Sequence, residues 1–280
     1  MKTPAIMWTV AAALLPALAA AVVGRGIGAL WQAFSAVCAC LLFEFICLRW
    51  RGLPGKTLAD GSAAVAGLIL GLALPPLAPW YVAPVAAGFA MALAKHCYGG
   101  LGNNPFNPAM AGYALAFLSF PAAFGGWGAA ESWREIFAAS DAASMPTPLI
   151  AARLGMEAPP PSYLFPAACV LGGAVLLQRR VADWRLPAAF IGGVLAAGGG
   201  DISALFAGGM MLAAFFVITD PATAAETPGG RIVYGFAAGA LAVLLRERGQ
   251  HADGIAFAVL FCNMLAPLAD RAAGAVWRRR

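Results

Sequence analysis

From Gly61 to Ala94 the chain carries no charged side chain, and a run of that length decides which solvent it can live in. About 20 apolar residues wound as an α-helix cross the hydrocarbon core of a bilayer. The run is long enough for two such crossings, and Pro75, Pro76 and Pro79 mark the turn between them. His96 to Ala130 holds one more span with a structured lead-in, and Ala158 to Gln178 and Ile202 to Thr219 hold one each. With 61% hydrophobic and 11% charged residues and a mean hydropathy of +0.78, the 280 residues offer more apolar surface than one water-facing core can bury. Helices satisfy their own backbone in lipid. The chain therefore reads as an all-α polytopic membrane protein.

Lys2 followed by an apolar run resembles a signal peptide, but Gly24-Arg25-Gly26 leads straight into a second apolar segment, so the first run reads as a membrane helix. Leu186 to Gly200, Ile232 to Leu245 and Gly254 to Ala269 are short and rich in Gly and Ala. Such segments lean on neighbouring helices rather than on lipid. Together the runs predict about ten spans, with first-half residues 1–125, an external loop 126–162 and a second half 163–280 in one membrane domain.

The net charge of +5 does not point to nucleic acid, because the basic residues sit at span ends. With the N-terminus in the cytoplasm, thirteen Lys and Arg fall inside, Lys95 among them, and Arg25, Arg134, Arg153, Arg246 and Arg248 fall outside. Both termini are then cytoplasmic and the loop around Thr147 is external. Terminal Arg278, Arg279 and Arg280 suit anionic lipid. The six cysteines lack CxxC spacing and histidine partners, and read as small buried hydrophobes.

Several polar residues stand out against this background. Glu44 lies in an apolar span close enough to Arg49 to pair with it, or to serve an ion pathway. Asp60 opens a turn with Gly61 and is a second candidate for that pathway, while Gly67 and Gly71 form a GxxxG close-packing pair. His96 and His251 are distant in sequence from each other and from acids, and read as loop residues. The stretch KHCYGGLGNNPFNPAMAGYA breaks the helical pattern at Asn104-Pro105 and Asn107-Pro108. Asn107 there is a helix cap, a ligand contact or both. Irregular backbone at this depth must be buried in protein or line a cavity. Asp220-Pro221 makes a second break, and FNPAMAG and TDPATAA match as a polar residue followed by Pro and Ala. Paired breaks in two halves point to a central site. Between them lies the polar island DAASMPTPL, with Asp141, Ser144, Thr147 and Leu149. Pro146 and Pro148 hold it extended, as in an ordinary solvated loop or a presented reactive hydroxyl.

PPLAPW, KHCYGGLGNNPFNPAMAGYA, AFFVITDPATA, GRIVYG and DGIAFAVL, in this order, resemble the D subunits of Rnf ion-translocating electron transport complexes. The related B subunit of the sodium-pumping quinone reductase is similar in plan but has a long N-terminal extension. The resemblance implies two repeated halves with broken helices in a urea-transporter-like bundle, in a bacterial inner membrane. It implies electron transfer between ferredoxin and NAD sides coupled to Na+ or H+ movement, with the A, B, C, E and G subunits of the Rnf complex as partners. It further implies FMN attached through a phosphoester to Thr147, in a motif Dxx[S/T]xATPL matched by Asp141, Ser144, Thr147 and Leu149. A separate flavin transferase makes that bond, and Pro146 departs from the family's alanine. A non-covalent riboflavin is also implied, with Asn104, Asn107 and Asp220 as its candidate pocket. The chain itself shows no cysteine cluster and no glycine-rich dinucleotide turn, so ferredoxin and NAD would bind elsewhere. The competing expectations are a channel or transporter for a small polar solute, and a flavin-free assembly scaffold.

Overall fold

The computed structural model describes residues 3–130, 132–138, 163–248 and 254–277. Among these residues the architecture is all-helical, as the apolar runs require. Four of the described helices are long and apolar enough to cross a bilayer: α1 (Thr3–Arg25), α2 (Ile27–Trp50), α11 (Pro228–Arg248) and α12 (Ile255–Trp277). The other apolar helices are shorter. These are α3 (Ser62–Ala73), α5 (Pro108–Ser119), α7 (Leu164–Gln178) and α8 (Arg185–Ala197). At 1.5 Å per residue, helices of this length cannot span alone, so they stack with non-helical segments inside the protein. Residues 232–245 and, but for Gly254, 254–269, expected to be short spans, instead lie inside the long helices α11 and α12.

Two of the remaining helices change pitch. Helix α4 (Val82–Gly88) continues into a π-helical stretch, Phe89–Lys95, and after the short α6 (Trp133–Ala138) and α9 (Ser203–Phe206), α10 (Met210–Leu212) continues into another, Ala213–Val217. Each is followed by an irregular loop and then by a helix that begins at proline, α5 at Pro108 and α11 at Pro228. Proline suits that first position because its missing N–H has no intrahelical partner. Asn107 Oδ1 accepts the Met110 N–H at 3.2 Å, and Thr227 Oγ1 accepts the Gly230 N–H at 3.0 Å. The two breaks thus share an order of elements, but Asn107 corresponds in role to Thr227. Asp220 sits earlier in its loop, so the short FNPAMAG and TDPATAA match aligns residues of different function.

Small residues set the helix spacing, as expected where lipid supplies no hydrophobic drive between helices. A Cβ at Gly67 would lie 2.6 Å from Val37 Cα, and one at Gly71 would overlap Ala33, so α3 lies directly on α2. Gly193 and Gly239 do the same reciprocally for α8 and α11, each against a backbone carbonyl of the other helix, those of Phe236 and Phe190. Helix α1 packs on both α3 and α7 and α12 reaches back to α5, so these two long helices join the first half to the second. Where α1 passes into α2, Gly26 adopts φ 73° and pairs with Ala130: Ile27 N–H donates to Ala130 O at 2.9 Å and Ala130 N–H to Arg25 O at 3.1 Å.

Replacing Gly71 with valine is expected to force α3 off α2 and lower the melting temperature in detergent by about 2 °C or more, the shift roughly 1 kcal/mol produces in a large chain. Gly55→Ala, at a position open to solvent space, is the control and should leave the melt unchanged.

Candidate cofactor and ion site

The two breaks meet through one amide. Asn263 of α12 accepts the Asn107 N–H on Oδ1 at 3.0 Å, and its Nδ2 donates to Thr223 O at 3.2 Å and to Tyr234 Oη at 2.8 Å. Asn107 adds a direct bond, donating from Nδ2 to Val217 O at 3.3 Å. Val217 closes the second π-helical stretch, whose wider turn leaves carbonyls for outside donors. Asn263, Asn107 and Thr223 are all buried. An unpaired amide there would cost about 1–3 kcal/mol, so the pairing holds the loops together. Nothing in FCNMLAPL flags Asn263; its signal is a lone amide in an otherwise apolar span.

Above this joint lies a cavity to which both halves contribute. Its polar lining is Ser62, Lys95, Asn104, Asn107, Thr219 and Asp220. Ile6, Met7 and Val10 of α1, with Leu176 of α7 and Phe216, supply apolar wall. The three residues expected to share a pocket, Asn104, Asn107 and Asp220, are therefore brought together. Asn107 is mainly structural, since its amide is used as cap and crosslink. Asp220 ties its own loop, accepting from Ala222 N–H and Thr223 Oγ1 at 3.2 Å each. Asn104 differs: its Nδ2 donates to Phe106 O at 3.0 Å, but its buried Oδ1 has no hydrogen-bond partner among the described residues. The free space is about 70 Å³, room for a few waters. A polar vestibule of about 530 Å³ adjoins it, with Val181, Ala182, Thr219 and Pro221 lining both.

Three arginines, Arg180, Arg185 and Arg231, line the vestibule with Asp183 and Glu226. Arg231 Nη1 donates to Asp183 Oδ2 at 2.6 Å and Arg185 Nη1 at 3.1 Å. Burial pushes the Asp183 carboxyl up, but the Arg185 backbone N–H and the two guanidiniums outweigh it and hold the group below the usual carboxylate range.

Behind the cavity is a second polar constellation, of which Glu44 and Asp60 stand out in the sequence but their partners do not. Lys95 Nζ donates to both Glu44 oxygens and to Ser62 Oγ, each at 2.8 Å. Ser62 Oγ in turn donates to Asp60 Oδ1 at 2.6 Å. His96 Nε2 lies 2.9 Å from Glu44 Oε2, and Arg51 Nη1 lies 3.0 Å from His96 Nδ1. Because arginine can only donate, Nδ1 accepts, and His96 in this arrangement is the neutral tautomer donating from Nε2. Glu44, Ser62, Lys95 and His96 are buried, whereas Arg51 is exposed and Asp60 half-buried. A continuous hydrogen-bonded chain thus runs from the protein surface at Asp60 and Arg51 to the cavity wall at Lys95.

Three expectations are corrected by these contacts. Glu44 does not pair with Arg49, because five positions along a helix turn the two side chains about 140° apart. Arg49 is exposed while Glu44 faces inward. His96 is not remote from acids, since the π-helical stretch before it carries it onto α2. Lys95 is not an exposed charge at a span end, since it is buried against Glu44 and Ser62. Arg246 is likewise buried, donating to Ala207 O at 3.4 Å, and Arg25 lies 4.5 Å from the Phe165 ring. These arginines make packing contacts within the protein. Of the cysteines, Cys40, Cys169 and Cys262 are buried as expected, but Cys38 and Cys97 are exposed. Asp141, Ser144, Thr147, Leu149 and His251 lie outside the described residues.

A family model for NQR2, RnfD and RnfE matches residues 1–275. The chain belongs to the NQR2, RnfD, RnfE family. This family member is 37% identical over 309 residues to the D subunit of the ion-translocating oxidoreductase complex of Pseudomonas paraeruginosa, covering 96% of this chain and 90% of that one. It is 36% identical over 323 residues to the protein of the same name from Aeromonas hydrophila, covering 96% and 92%. It is 33% identical over 324 residues to that of Cronobacter sakazakii, covering 96% and 93%. The break motifs, the cavity and the Glu44–Lys95 cluster all fall within the matched residues of the family chain.

Asn263→Leu removes the partner of a buried N–H, a buried carbonyl and a tyrosine hydroxyl at once. It is expected to destabilise the protein by about 1–3 kcal/mol or more, read as a lower melting temperature in detergent.

Proposed function

We propose that this chain is the flavin-carrying membrane subunit of an Rnf-type ion-translocating oxidoreductase complex. In this reading it passes electrons between the ferredoxin and NAD sides while Na+ or H+ moves. The observation that carries the proposal is the cavity joining the two helix breaks, with the buried Asn104 Oδ1, unpartnered among the described residues, in its wall. An orphaned acceptor in an apolar enclosure favours a neutral ligand that offers an N–H or hydroxyl and an aromatic body. Riboflavin meets both requirements. Asn104 and Asp220 would accept from such donors, and Met7, Val10 and Phe216 would cover the ring. A tricyclic ring exceeds the present free space, so the wall has to part, and the rotatable chain of Met7 allows this.

A second flavin, FMN held on Thr147, belongs to the same proposal. It rests on the motif Asp141, Ser144, Thr147, Leu149 and on the family membership. A threonine hydroxyl is a weak nucleophile, so the phosphoester needs a separate transferase. Bound flavin supplies the one- and two-electron chemistry, and this chain supplies position, water exclusion and electrostatics. Further subunits of the complex bind ferredoxin and NAD. The multi-pass fold and the complex named in the relatives support a membrane location, and the thirteen-to-five asymmetry of Lys and Arg supports an inner-membrane orientation with the Thr147 loop external. The hydrogen-bonded chain through Glu44 and Asp60 supports their assignment to the ion pathway, since buried charge in a membrane is costly unless it is used.

Expression with a matching flavin transferase tests the covalent site. The denatured wild-type band should fluoresce and the Thr147→Ala band should not. A dark wild-type band would show that Pro146 blocks attachment and would favour a scaffold or solute pathway. In the assembled complex, Glu44→Gln and Asp60→Asn are expected to lower the number of ions moved per electron transferred. Normal transport in both would remove these residues from the pathway.

A further inference from the structure

The Glu44–Lys95 pair is oriented with respect to the cavity. Lys95 and its partner Ser62 line the cavity, whereas Glu44 lies behind them and does not. All three ammonium donors of Lys95 are engaged, by Glu44 Oε1, Glu44 Oε2 and Ser62 Oγ. Lys95 therefore acts on a cavity ligand through its field rather than through a direct bond. In surroundings of low dielectric that field is weakly screened. The second half contributes the Asp220 carboxyl to the same enclosure, so the cavity is polarised, with a cation on one wall and, on the other, a carboxyl that already accepts two hydrogen bonds from its own loop. A ligand with a carbonyl edge and an N–H edge would settle with its acceptors toward Lys95 and its donor toward Asn104 Oδ1.

We infer that Lys95, held by Glu44 and Ser62, is the residue that sets the reduction potential of the group bound in this cavity. The inference rests on the flavin reading above. Negative charge that accompanies an added electron is stabilised by the cation at the wall. Glu44 tempers the effect from behind and keeps Lys95 in place. The other charged groups facing this cluster are Asp60 through Ser62, and Arg51 through the neutral His96. Lys95 is thus a positioning and tuning residue, distinct from the Asn104 and Asp220 contacts that would hold the ligand.

The test uses the full chain in nanodiscs, carrying Thr147→Ala so that no covalent flavin contributes, titrated with riboflavin. Binding is read by fluorescence quenching and the midpoint potential by spectroelectrochemistry. Glu44→Gln, which leaves Lys95 less compensated while keeping an acceptor, should raise the midpoint. Glu44→Gln with Lys95→Gln should lower it below wild type. Between these two variants the ratio of oxidised to reduced ligand at fixed potential should change at least tenfold, which is about 59 mV for a one-electron couple. Their riboflavin affinities should stay within a few-fold of each other. Equal midpoints in all three proteins, with riboflavin bound, would overturn the inference alone. A wild-type chain that binds no riboflavin would overturn the flavin assignment of the cavity, and the inference with it.

Discussion

The structure depends on satisfying backbone and amide groups where no water is available to do so. Two irregular loops enter the protein between short helices, and each brings N–H and C=O groups that lipid cannot pair. Asn263 resolves this by accepting from the first loop and donating to the second, while Asn107 caps α5 and bonds the end of the second π-helical stretch. Without that joint the loops would have no reason to meet, and the cavity between them would not exist. The GxxxG contact seats α3, which lines the cavity, on α2, and the reciprocal glycines hold α8 on α11 beside the vestibule.

A second constraint is electrostatic. Placing Glu44, Lys95 and His96 beneath the surface costs desolvation that pairing must offset. The cluster meets it with two contacts from Lys95 to one carboxylate, a third to Ser62, and a histidine donor on the remaining side. A hydrophobic substitute would pack as well, so stability alone does not account for the charges. What the charges add is continuity, from the surface at Asp60 and Arg51 to the cavity wall at Lys95. The vestibule arginines, braced by Asp183, provide a polar approach to the same cavity.

Much of this is legible in the residues themselves. Charge-free runs indicate the helical membrane class, Asn104, Asn107 and Asp220 stand out as polar groups at depth, and GxxxG locates a close helix contact. Those signals are local, and the physics behind them acts over a few residues. The pairing of Glu44 is not legible in this way, because Arg49 is its neighbour in sequence whereas Lys95 lies far along the chain and reaches α2 only through a π-helical stretch. Asn263 escapes sequence reasoning for the same reason: one amide in an apolar helix carries no periodic signature, and its partners lie on three other segments.

Hydropathy, proline geometry and capping act over short distances, so the solvent, the helical class, the places where helices break and the polar residues available at depth all follow from the order of residues. Which of those polar groups meet is a tertiary outcome. Asn107, Asn263 and Thr223 converge from three segments, and so do Glu44, Ser62 and Lys95, because close packing through glycine removes the water that would otherwise have satisfied each one separately.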